Sequence, residues 1–101
     1  MAISIFMNKG EACSILSECL AGYRSRSREE LAAWVCEGRV DATEVVAANG
    51  TKYQLEVQFV WDAKPNGNVR VIASIDDGGV RALLPITGSF ILGSDGQFVG
   101  E

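Results

Sequence analysis

Residues 51–61 read TKYQLEVQFVW, and their alternation decides the fold. Tyr53, Leu55, Val57, Phe59 and Trp61 share one side of an extended chain; Lys52, Gln54, Glu56 and Gln58 share the other. Successive side chains of a strand point to opposite faces, so the pattern predicts an antiparallel strand with one buried face. Asn49-Gly50 precedes it, a pair suited to a two-residue hairpin turn because both positions tolerate positive φ. That turn pairs Val46 with Tyr53, Ala42 with Val57 and Val40 with Phe59. It also sets Glu44 opposite Leu55, on the apolar face.

Working downstream, DAKPNGN (62–68) reads as a turn-rich loop. Val69, Val71, Ala73 and Ile75 then continue an inward face. In SIDDGGVRA (74–82), a two-residue turn at Asp77-Gly78 pairs Ile75 with Val80, Ala73 with Ala82 and Val71 with Leu84. Pro85 interrupts or ends that strand. Residues 89–93 and 97–99, around Ser94-Asp95-Gly96, predict a last short hairpin or an ordered tail.

Working upstream, residues 2–6 (AISIF) predict a short strand. Asn8 and Glu11 are spaced as a capping box, and Ala12, Ile15, Leu16, Cys19, Leu20 and Tyr23 recur on one helical face. Ser27 and Glu30 form a second capping box, with Leu31, Trp34 and Val35 as the stripe of a second helix and Gly38 as its C-cap. Helices followed by an antiparallel meander predict an α+β domain. The N-terminal helices are expected to pack on one face of a curved sheet, as a two-layer roll. The order of elements resembles the cystatin-like roll in architecture, with no shared motif, and architecture alone assigns no function.

The chain has 101 residues, about the commonest single-domain size, so one domain over 1–101 is expected. Its formal charge of −4 argues against a nucleic-acid or anionic-membrane partner. Arg24, Arg26 and Arg28 read as a solvated link beside Glu29 and Glu30. No apolar run approaches a membrane span, and the N-terminus lacks the basic start of a signal peptide. Cys13, Cys19 and Cys36 form no CxxC pair and read as reduced thiols of a cytoplasmic protein.

The sequence holds no histidine, which removes Ser-His and Cys-His nucleophile pairs and His-containing zinc sites. Asp76 and Asp77 are neighbours whose side chains diverge in extended chain, and they lack the spacing of a calcium loop, so they read as turn residues. No catalytic residue, metal site or cofactor is assigned. Two binding surfaces are. One is a ligand pocket between sheet and helices with Glu44 as its carboxylate, lined by Tyr53, Trp61 and Trp34. The other is the outer sheet face, where the predicted registers gather Val45, Ala47, Val60, Ile72 and Leu83 with Arg70 and Arg81. An apolar centre with an arginine-containing rim suits association. The expectation is a non-catalytic module acting by protein–protein contact, as a twofold dimer; the alternative is a small-molecule-binding roll, with weak hydrolase- or isomerase-like chemistry at Glu44 as its catalytic form.

Overall fold

The structure is a computed structural model that describes residues 9–78 and 85–101. Two helices, α1 (Lys9–Arg24) and α2 (Arg28–Glu37), precede four strands, β1 (Val40–Val46), β2 (Lys52–Asp62), β3 (Asn68–Asp76) and β4 (Ile86–Leu92). The strands lie in chain order and every neighbouring pair is antiparallel. Both helices pack on the same sheet face, α1 over β3 and β4 and α2 over β2 and β3. This is the α+β meander that the alternation in β2 predicts. The proposed strand at residues 2–6 and the Asn8 cap lie outside the described residues.

The predicted caps are present at α2, and the predicted apolar stripes are present on both helices. Ser27 Oγ accepts the Glu30 N–H at 3.1 Å, and Gly38 closes α2 by donating its N–H to the Trp34 and Val35 carbonyls. In α1 the apolar stripe buries Ala12 and Leu16, with Ile15, Cys19, Leu20 and Tyr23 packed beside them. Gly88 of β4 lies beneath this helix. A Cβ there would stand 3.0 Å from Leu20 Cδ1 and 3.3 Å from Leu16 Cδ2, so α1 packs closely over this glycine and a larger residue would push the two leucine methyls aside.

The core between the layers is apolar: no polar or charged residue is buried among the described residues. The alternating residues of β2 and β3 floor it, from Tyr53 to Phe59 and from Val69 to Ile75. Tyr53 is fully buried, and its hydroxyl donates to Glu11 Oε1 at 2.7 Å, which fixes the start of α1 over the sheet. Tyr23, Trp34 and Phe59 meet edge-to-face, with ring centroids 5.1–6.2 Å apart, and join both helices to β2.

Two predicted registers are corrected. The β1–β2 loop has three residues, Ala48-Asn49-Gly50. Ala47 N–H donates to Thr51 O at 2.8 Å, Gly50 N–H donates to Ala47 O at 2.9 Å, and Gly50 has φ +88°. This is a type I turn closed by a left-handed glycine. Val45 therefore faces Tyr53, Thr43 faces Leu55 and Glu44 faces Gln54, one residue from the predicted pairing. A one-residue slip exchanges the faces of a strand. Glu44 thus moves to the outer face, while Val45 and Ala47 pack against the core.

The second correction concerns β3. Its partner is β4, which pairs Ile75 with Ile86, Val71 with Phe90 and Val69 with Leu92. The predicted pairing with Val80, Ala82 and Leu84 is displaced, and those residues lie outside the described residues. Asp76 does turn the chain: its Oδ1 accepts the Gly78 N–H at 2.8 Å. Pro85 stands directly before β4, and the strand it was expected to interrupt or end lies outside the described residues. Of the two expected endings the hairpin forms, with Gly93 N–H on Gln97 O at 2.7 Å and Leu92 bridged to Phe98.

Candidate functional site

With both helices on one face, the other face of the sheet is left open among the described residues. Its centre follows from the registers. Val60 lies opposite Arg70, which lies opposite Ile91; Ile72 sits between Gln58 and Ser89, diagonal to both Val60 and Ile91. Val40 stands across from Gln58 on the edge strand. Val60 is 37% exposed and Val40 53%, both among the large apolar side chains that stand exposed among the described residues. Arg70 is held by Asp62, with Nη2 2.9 Å and Nε 3.2 Å from Oδ1. The apolar centre therefore carries an internally neutralised ion pair. Towards the other end the face turns acidic, with Glu44, Glu56 and Asp76.

Of the residues assigned to this face, Val60, Arg70 and Ile72 lie on it. Arg81 and Leu83 are outside the described residues, and the partners of Ile72 are Gln58 and Ser89 rather than Leu83. Ile91 takes the place in the cluster that Leu83 was expected to fill. The alternation of Phe90 and Leu92 about Ile91 carries its signal, legible once β4 is taken as the partner of β3.

The pocket assigned around Glu44 is not brought together. Glu44 is exposed on the outer face and accepts from Gln54 Nε2 at 3.1 Å. Tyr53 is sealed in the core beside α1. Trp61 lies on the same strand, about 26 Å further along at strand rise. Trp34 meets Phe59 edge-to-face and carries the Arg39 guanidinium 4.0 Å from its ring centroid.

A different groove opens on the helix-bearing side, between α1 and β1. Its volume is about 460 Å³, and Cys19, Tyr23, Asp41, Thr43, Leu55 and Val57 line it. Neither helix packs substantially on β1, so the inward side of the edge strand stays open. Asp41 stands at the wall of the groove. It accepts the Tyr23 hydroxyl and, at 2.7 Å, Arg39 Nε. The Arg39 guanidinium, followed by the Tyr23 hydroxyl, holds the Asp41 carboxyl below the usual carboxylate range. Burial, followed by donation to Asp41, pushes the Tyr23 phenol well above its ordinary value. Burial and the Asp41 charge also raise the Cys19 thiol, so it is no activated thiolate. The groove thus holds a neutral phenol, a neutral thiol and a carboxylate already answered by a cation. Those groups can donate and accept hydrogen bonds at the wall of the groove.

Cys13, Cys19 and Cys36 are all unbonded thiols. Among the described residues no group of histidine, cysteine or carboxylate side chains is arranged to hold a metal ion, and no helix is long and apolar enough to cross a membrane. No family model matches the chain, and no curated protein or solved structure matches it at a significant level.

Proposed function

We propose that this chain is a small, non-catalytic binding module of the cytoplasm that acts by protein–protein contact and self-associates as a twofold dimer. The observation that carries the reading is the open sheet face, where Val60, Ile72 and Ile91 surround a neutralised Arg70–Asp62 pair. Two such faces can pack as sheets do, burying the apolar centre while the acidic end stays in water. The unpaired thiols, two of them exposed, fit a reducing compartment.

Light scattering tests the reading. Ile72→Asp and Ile91→Asp should keep the circular dichroism of the parent, because both side chains point away from the core, and should leave a monomer. A single 10.8 kDa species of the unsubstituted chain at high concentration overturns the dimer.

A further inference from the structure

We infer that the free edge of β1, with the groove beside it, is a strand-addition site for an extended protein segment in which apolar and basic residues alternate. Ala47 is hydrogen-bonded to β2 through its N–H. Bonding alternates along an antiparallel strand, so Val45, Thr43 and Asp41 also face β2. Val46, Glu44, Ala42 and Val40 then present N–H and C=O to the edge, and among the described residues nothing pairs with them. An unpaired edge is a template for another strand, and this one carries no lysine, proline or bulge to block it. Asp41, the inward charge that could repel a newcomer, is already neutralised by Arg39.

The side chains of β1 and β2 specify the newcomer. Residues of the added strand that point inward enter the groove over Leu55 and Val57, beneath the neutral Tyr23 and Cys19 groups, so apolar or small side chains fit there. Residues that point outward lie opposite Val40, Ala42, Glu44 and Val46. Val40 and Val46 are 53% and 59% exposed and call for apolar partners. Opposite Glu44 a lysine or arginine is favoured. Opposite Ala42 the small side chain lets a long basic residue reach Glu56, two strand spacings or about 10 Å away. Glu44 and Glu56 accept only from the amides of Gln54 and Gln58 among the described residues, so both carboxylates are available to a cation. The outward pattern is therefore apolar, basic, basic, apolar. It reads the same in either chain direction.

The test uses an end-blocked fluorescent peptide of the order valine, threonine, lysine, leucine, lysine, threonine, valine, against the same peptide with both lysines changed to glutamate. The lysine peptide should bind saturably, and the glutamate peptide at least about tenfold more weakly, a difference of about 1.4 kcal/mol. Glu44→Lys should reverse that preference. Bound peptide should protect the amides of Val40, Ala42, Glu44 and Val46 from hydrogen exchange. Ala42→Pro removes an edge donor that β2 does not use and should abolish binding. If that variant fails to fold, the charge reversal and the amide protection decide the matter. Absence of saturable binding overturns the inference, as does indifference to Glu44→Lys. Protection confined to Val60, Ile72 and Ile91 overturns it in favour of the outer face. Protection of the β1 amides that rises with protein concentration, without peptide, assigns the edge to a second copy and overturns it too.

Discussion

At the scale of single residues, Asp41 does the most. It sits near the start of β1 and ties its own strand to α1 through Tyr23 and to the α2–β1 junction through Arg39. Its folded pKa is lowered, so its contribution is present above the ordinary carboxylate pKa of about 3.9 and is lost as pH falls below it. Its side chain is 27% exposed, which discounts a charge-assisted bond to about 1 kcal/mol. Asp41→Asn should lose about that much at pH 7 in urea titrations and should flatten the acid limb of the stability curve. Tyr53 acts at the opposite extreme. Burial and its bond to Glu11 push the phenol up to about 12 from 10. A raised pKa gives stability that is complete below pH 10 and drains away as pH rises towards 12. Tyr53→Phe should reduce the alkaline slope over that window, measured by the same titrations. The Tyr23–Asp41 bond does not follow from the sequence, because it joins residues 18 apart whose meeting depends on how α1 crosses the sheet.

At the scale of elements, both closing hairpins use one device. Ala48-Asn49-Gly50 and Ser94-Asp95-Gly96 are three-residue loops with glycine at φ +88° and +84°. In each the central side chain accepts from the residue after the glycine, Asn49 from Thr51 N–H and Asp95 from Gln97 N–H, both at 2.9 Å. Gly50→Ala should cost about 1–2 kcal/mol, the price of a Cβ in left-handed backbone. Gly22→Ala, inside α1 with nothing within 4 Å of the new Cβ, should instead stabilise by about 0.5–1 kcal/mol. Denaturation midpoints check both signs. The same loops explain what was legible in the sequence. The existence of each strand and its hydrophobic face could be read from alternation, because burial imposes a period of two. Loop length could not: Asn-Gly serves two-residue and three-residue turns alike, and the extra residue turned Glu44 outward and Val45 inward. The partner of β3 was missed for a related reason, since Val80, Ala82 and Leu84 alternate as well as Ile86, Gly88 and Phe90 do. The Gly88 gap under Leu16 and Leu20 favours the second set by letting α1 settle on the sheet.

At the scale of the whole molecule, net charge separates the two proposed surfaces. Each copy carries a formal charge of −4, so two copies repel as they approach. The centre of the outer face supplies no compensating attraction, because Arg70 is already bound to Asp62 within its own chain. Association there rests on apolar burial working against repulsion, and salt screens the repulsion alone. The Debye length falls from about 30 Å at 0.01 M to about 8 Å at 0.15 M. Raising ionic strength through that range should tighten the dimer several-fold, measured by sedimentation equilibrium. A cationic strand at the β1 edge behaves in the opposite sense, since its attraction to Glu44 and Glu56 is what salt weakens. The lysine peptide should lose affinity over the same range while the dimer gains it. A dimer that weakens with salt would mean that ion pairs hold the two copies together, which the closed Arg70–Asp62 pair does not allow. A peptide whose affinity is indifferent to salt would remove the carboxylates from the edge site and leave only its main-chain bonds and its groove.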